Sequence, residues 1–230
     1  MGKIKVTPCD IKGLYVIEPT VFPDSRGYFM ETYNQNDFKE AGLNMVFVQD
    51  NLSMSVKGTL RGMHFQKNYQ QGKLVCVVSG EVFDAVVDIR DGSRTYGQCF
   101  GSVLSAEKQN MLYVPEGFAH GFLVLSDTAV FSYKLSDYYL PEDESGIPWN
   151  DETIGIRWPI PKGMTILTSE RDSRHPAFGE LSALKPKKNR KTMAAAIARP
   201  PIRLDSPISL ALATIQTVMV IGPKATDAMA

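Results

Sequence analysis

The 230-residue chain carries three histidines: His64 in "LRGMHFQ", His120 in "PEGFAH" and His175 in "SERDSRHP". Leu60, Met63 and Phe65 belong in a hydrophobic strand, yet that strand also holds Arg61 and His64. An imidazole so placed is either a hydrogen-bonded core side chain or a group that exchanges protons near neutral pH. Strict strand alternation puts His64 with Leu60, Gly62 and Gln66, and Arg61 on the opposite side. Both reach one site only if a bulge near Gly62 re-aims one of them; otherwise Arg61 lies outside it. His120 follows a Pro-x-Gly turn into an apolar strand and shares its face with Phe122 and Val124. A mononuclear metal site needs three or four convergent ligands. His64 is followed by Phe65 and Gln66, so there is no His-x-His pair, and His175 reads as a loop residue. Two histidines with a carboxylate such as Asp84 remain the metal option. The pattern favours chemistry by paired polar groups without a metal.

The elements that must position these groups are mostly strands. "KLVCVVSGEVFDAVVDIRDGS" (73–93) reads as two strands around a Ser79-Gly80 turn, closed at Asp91-Gly92. On the second strand Val82, Asp84, Val86 and Asp88 share one face, and Phe83, Ala85, Val87 and Ile89 share the other. One purely apolar face and one apolar-acidic face fit a barrel or sandwich with a partly polar interior. "NMLYVPEGFAHGFLVLS" (110–126) gives two short strands, and "AVFSYKLSDYYL" (129–140) gives another with Phe131 and Tyr133 on one side. "NQNDFKEAG" (34–42) is the best helix, with a polar start, Phe38 as anchor and Gly42 as stop. Many short strands with turn signals every 8–12 residues predict an all-β fold with a few short helices.

Composition narrows the class. Hydrophobic residues make up 43% and charged residues 22% of the chain, ordinary for a soluble globular protein. The formal charge of zero conceals two halves: residues 1–184 hold 17 Lys+Arg against 23 Asp+Glu, a net of −6, and residues 185–230 hold 8 against 2, a net of +6. The body has no basic stripe of the kind that tracks nucleic acid. Cys9, Cys76 and Cys99 are odd in number and lack CxxC spacing, which argues for reduced thiols and a cytoplasmic setting. "MGKIKV" lacks the apolar core of a secretory signal, and the longest apolar stretch (208–222) is short for a membrane span. The expected organisation is a domain over 1–184 and a basic, Ala- and Pro-rich tail over 185–230, disordered or loosely attached.

"PEGFAH" resembles half of the second motif of the cupin superfamily, without the partner ligands of the metal-binding members. The further segments "FPDSRGYFMETY", "FVQDN", "GTLRGMHFQ", "QGKLVCVVSGEVFDAVVDIRDGSRTYGQ", "YVPEGFAHGFLVLSD", "YKLSDYYLPEDESGIPWND", "IGIRWP" and "SERD" come in this order between residues 22 and 172. Together they closely resemble the dTDP-4-dehydrorhamnose 3,5-epimerases, a family of metal-free cupins. The resemblance covers about residues 4–180 and does not extend into the tail. It implies a cupin-type double-stranded β-helix, a jelly-roll barrel, and no cofactor.

The implied substrate is a 4-keto-6-deoxy sugar on a thymidine diphosphate, whose keto group acidifies the protons on C3 and C5. Epimerisation then needs a base, an acid across the ring, and a cation or donor at the enolate oxygen. By resemblance His64 is the base, Asp172 its carboxylate partner, and Tyr133 the acid; Lys73 and His120 hold the oxyanion. Arg26 and Arg61 would meet the diphosphate, Gln49 and Asn51 the sugar or base, and Tyr139 the thymine ring. Glu31, Glu144 and Arg171 complete the implied binding set. In the family the N-terminal strand pairs with a second subunit, so a homodimer is expected, with Arg26 and Glu31 serving the neighbour's pocket. The alternatives are a single-site C5 or C3 epimerase or a 3,4-ketoisomerase on the same barrel. A non-catalytic or metal-binding cupin is the alternative from a different class.

Overall fold

The computed structural model describes residues 3–185. The expected tail, apart from Lys185, lies outside the described residues. Thirteen strands follow in chain order: β1 (Ile4–Pro8), β2 (Tyr15–Pro19), β3 (Val21–Asp24), β4 (Gly27–Met30), β5 (Gln49–Val56), β6 (Leu60–Gln66), β7 (Lys73–Ser79), β8 (Glu81–Asp88), β9 (Cys99–Ser105), β10 (Met111–Val114), β11 (Phe118–Val124), β12 (Thr128–Leu135) and β13 (Glu144–Gly146). Among the described residues one short α-helix, α1 (Gln35–Glu40), intervenes; its Asn34 cap accepts a hydrogen bond from the Asn36 amide. Among the described residues no helix is long and apolar enough to cross a membrane.

The strands form two antiparallel sheets, with orders β1-β2-β10-β7-β12-β5 and β13-β6-β11-β8-β9, and β3 and β4 make a separate hairpin. This is the expected all-β, cupin-type jelly roll. Val75 and Val77 of β7, Leu112 of β10 and Phe131 of β12 meet Val82 and Val86 of β8 and Phe122 and Val124 of β11 in the core between the sheets. The turn at Ser79-Gly80 does not make a hairpin. It carries the chain from β7 in one sheet to β8 in the other, because both faces of each strand are already committed to apolar layers.

The outer face of each sheet also has a cover. The apolar row read from β8, namely Ala85, Val87 and Ile89, packs with Met63 and Phe65 of β6 beneath Ile147, Ile154 and Phe178 of the C-terminal segment. Burying the larger of these side chains contributes roughly 1.5–3 kcal/mol each. Segment 167–184 is tied down by backbone bonds as well: the Leu60 amide donates to the Leu167 carbonyl at 2.9 Å, and the Leu184 amide to Ile89 at 2.8 Å. On the other sheet α1 seats Phe38 against Ile17, Leu74 and Met111.

Candidate active site

A cleft of about 280 Å³ opens between the two sheets. One wall comes from β5, β7 and β12, which send in Gln49, Asn51, Ser53, Lys73, Phe131, Tyr133 and Leu135. The facing wall comes from β6, β11 and β13, which send in Arg61, His64, His120, Phe122 and Glu144; Tyr139 and Arg171 close the rim.

Arg61 and His64 share this cleft because strand alternation fails between them. His120 stands opposite His64 and Phe122 opposite Arg61, so β6 spends three steps where β11 spends two. The bulge rests on a glycine pair. Gly62 has φ +122°, and a Cβ there would fall 2.6 Å from the Gly121 Cα. No larger residue fits either that backbone or that approach. Met63, displaced outward, joins the core beneath the C-terminal segment.

His64 is held from behind. Its Nε2 lies 2.6 Å from Asp172 Oδ1, and the Gly62 amide points at the same carboxylate from 3.5 Å. Burial acts to raise the Asp172 carboxyl, but His175, His64 and the Gly62 amide outweigh it and hold the group well below the usual carboxylate range. An ionised Asp172 accepts the Nε2 proton of His64, which leaves the ring lone pair on Nδ1. Nδ1 lies 4.0 Å from Glu144 Oε1.

Tyr133 enters from the opposite sheet. Burial, with smaller contributions from Glu144 and Tyr139, raises its phenol above the ordinary value against the opposing pull of Arg61, so it stays protonated at neutral pH. Lys73 is buried on β7, next to the Tyr133 strand, and burial pushes its ammonium down to about 8 although Glu144 and Asp84 pull the other way. Among the described residues no hydrogen bond or ion pair takes up that ammonium. His120 Nε2 sits 2.9 and 3.0 Å from the two carboxylate oxygens of fully buried Asp84. Burial lowers its pKa against the attraction of Asp84. A neutral His120 with Nε2–H on Asp84 is an acceptor at Nδ1 and donates there only as imidazolium. Between Lys73 and His120, Lys73 is therefore the cation.

The rim is a connected set. Tyr139 donates its hydroxyl to Glu144 at 2.5 Å, Arg171 clamps the same carboxylate, and the Tyr139 amide donates to Gln49 Oε1 at 3.0 Å. Gln49 Nε2 in turn donates to Asn51 Oδ1 at 3.0 Å. Arg61 donates from Nε to Ser55 at 3.1 Å, leaving the rest of its guanidinium toward the cleft.

Ten of the thirteen expected residues thus line one cleft, and Asp172 stands directly behind His64. Arg26 and Glu31 do not line it. Arg26 sits at the tip of the β3–β4 hairpin with its side chain 87% exposed and pairs with Asp24 at 2.6 Å. Glu31 follows β4 and accepts from Asn34. Three neighbours were not anticipated. Ser53 was readable, since it continues the inward row of Gln49 and Asn51. Gln71, whose Nε2 donates to the Asp137 carbonyl at 2.9 Å, lies in a loop with no periodic signal. His175 read as a loop residue, but it follows a short 3-10 turn (Asp172–Arg174) and packs edge to face on His64, 5.6 Å between ring centres.

Comparison with known proteins agrees with this geometry. Residues 8–180 match the family model of dTDP-4-dehydrorhamnose 3,5-epimerase. The chain is 51% identical over 172 residues to dTDP-4-dehydrorhamnose 3,5-epimerase of Methanothermobacter thermautotrophicus, covering 75% of this chain and 93% of that one. Its fold is similar to that of a dTDP-6-deoxy-D-glucose-3,5-epimerase from Legionella pneumophila solved with dTDP-4-keto-L-rhamnose, with a TM-score of 0.76, 42% identity, and 81% and 99% of the two chains covered. A 3'-monoepimerase from Streptomyces bikiniensis, solved with dTDP-quinovose, is more distant at 33% identity and TM-score 0.69, covering 74% of this chain and 86% of that one. The chain belongs to the dTDP-4-dehydrorhamnose 3,5-epimerase family.

Proposed function

We propose that this protein is an isomerase that epimerises dTDP-4-dehydro-6-deoxy-D-glucose at C3 and C5, giving dTDP-4-dehydro-L-rhamnose without a cofactor. The observation that carries the reading is the pairing across the cleft: an Asp-held imidazole from one sheet faces a protonated phenol from the other. His64 Nδ1 takes the proton from the carbon next to the keto group. The charge moves onto O4, where Lys73 meets it in a water-poor wall, with His120 beside it. Tyr133 then delivers a proton to the opposite face of the same carbon. Asp172 keeps the proton on His64 Nε2 and stabilises the imidazolium that forms. The diphosphate takes Arg61, and the rim of Gln49, Asn51, Tyr139, Glu144 and Arg171 holds the nucleotide, with Tyr139 stacking on thymine.

A homodimer is part of this reading. On β5 the inward row is polar, and the outward row is Asp50, Leu52, Met54 and Val56, with Leu52 and Met54 68% and 63% exposed. Val78 on the same sheet and Phe22, Tyr28 and Phe29 on the hairpin are also exposed. An edge strand with an apolar outer row, and an aromatic hairpin that joins neither main sheet, suit a second copy of the chain. The hairpin would carry Arg26 and Glu31 to the partner's cleft.

The reading is tested by His64→Ala. Turnover of the dTDP-linked keto sugar should fall roughly 10²–10⁴-fold with the melting temperature retained, the usual contribution of a positioned base. EDTA should leave wild-type turnover undiminished. An unchanged rate in the variant would make His64 a structural residue and end this assignment.

A further inference from the structure

Epimerisation uses His64 and Asp172, and His175, which helps keep Asp172 ionised, has no task of its own on the substrate. Yet His175 is built into the site. Its side chain is 8% exposed, and its Nε2 is buried with no hydrogen-bond partner. That nitrogen points at Asp172 Oδ1 from 3.7 Å, the oxygen that His64 Nε2 meets at 2.6 Å. Space for the ring is made by Gly146 on β13, where a Cβ would fall 2.3 Å from His175 Nε2. An unsatisfied buried polar atom is costly, and here it converges with a second imidazole and an ionised carboxylate. One ligand atom from each of His64, Asp172 and His175 lies within 4.8 Å of the other two.

We propose that these three side chains form a latent site for a transition-metal dication of the zinc class, and that filling it switches the base off. Two imidazole nitrogens and one carboxylate oxygen are a donor set that zinc takes with a fourth position left open. Ligands about 2.0–2.2 Å from a tetrahedral ion stand about 3.3 Å apart, so the closest pair must open by about 0.7 Å and the most distant close by at most about 1.5 Å. Rotation of three side chains on a bulged strand and a 3-10 turn supplies that. His64 is partly exposed to the cleft, which gives the ion a way in.

The switch follows from the two nitrogens of one ring. A metal on His64 Nε2 needs that lone pair, so the Nε2 proton leaves and the neutral ring carries its proton on Nδ1, facing Glu144. No proton is gained or lost overall. The Nδ1 lone pair that takes the substrate proton is then gone. Binding depends only on the cluster; the inhibition rests on His64 being the base.

The test is zinc titration of the metal-free protein by calorimetry, alongside turnover. His175→Asn and His175→Gln are compared, each with its own metal-free rate as reference and its fold checked by circular dichroism. One zinc per chain should bind the wild type and stop turnover, with EDTA restoring it. Loss of His175 should weaken binding by at least the roughly 10–100-fold that loss of a mere supporting partner costs, and relieve inhibition in step. Equal zinc affinity in the wild type and both folded variants would overturn the site. Binding that depends on His175 but leaves turnover untouched would uphold the site and instead overturn His64 as the base.

Discussion

At the scale of single residues, the chemistry turns on where protons sit. Tyr133→Phe keeps the ring and removes only the donor, so inversion should slow by roughly 10²–10⁴-fold. Exchange of the substrate C–H protons with solvent should persist, because His64 still removes and returns a proton on its own face. NMR of the substrate recovered from D2O checks this, and equal inversion rates in variant and wild type would place the acid elsewhere. Lys73 links function to stability. Its ammonium, at about 8 in the folded protein against 10.5 when solvated, is disfavoured by burial. Below pH 8 both states hold the proton and the folded state bears the full penalty. Between 8 and 10.5 the native protein releases a proton that the unfolded chain keeps, so this penalty fades as pH rises. Lys73→Met should therefore stabilise the protein near neutral pH by up to about 3 kcal/mol, measured by urea unfolding, while greatly reducing turnover. For the wild type, kcat/KM should fall as pH rises through about 8, as the oxyanion cation is lost. A profile flat to pH 9.5 would remove Lys73 from that role.

At the scale of elements, the proposed assembly rests on the β3–β4 hairpin. If Arg26 acts in the neighbour's cleft, Arg26→Ala and His64→Ala subunits, each weak alone, complement when mixed. The hetero-pair then holds one cleft with its own His64 and a borrowed Arg26. Random re-pairing should restore about a quarter of wild-type activity, and no recovery would confine Arg26 to its own protomer or to the surface. Elements also explain what was legible beforehand. The face assignments on β8 and the Phe131–Tyr133 face followed from a period of 2, and the helix after Asn34 from its polar start, Phe38 anchor and Gly42 stop. The placing of Arg61 beside His64 did not, because a bulge at Gly62 breaks the period and its cause, Gly121, is 59 residues away. Alternation could state the choice but not make it. His175 escaped for a related reason: a 3-10 turn brings it under Gly146 through contacts that no local pattern encodes. Likewise the turn at Ser79-Gly80 has the residues of a hairpin, and only the two-sided apolar patterns of β7 and β8 say that they belong to different sheets. The resemblance to a family, not periodicity, singled out Asp172 and Lys73, since from sequence alone each reads as an exposed charge.

At the scale of the whole molecule, two sheets bring His64 and Tyr133 to opposite sides of one cleft, and the C-terminal segment holds Asp172 behind His64, as the proposed base and acid require. A single pair of groups then serves two carbons, because C3 and C5 both flank the same keto group and share the same oxyanion site. The use of one pair for both carbons is read directly from the wild-type protein incubated with dTDP-4-dehydro-6-deoxy-D-glucose in D2O, with the product followed by NMR. The product should be a nucleotide-linked 4-keto-L-rhamnose inverted at both centres and carrying deuterium at C3 and at C5. Inversion and label at only one carbon would contradict that shared use and place the protein among the single-site epimerases.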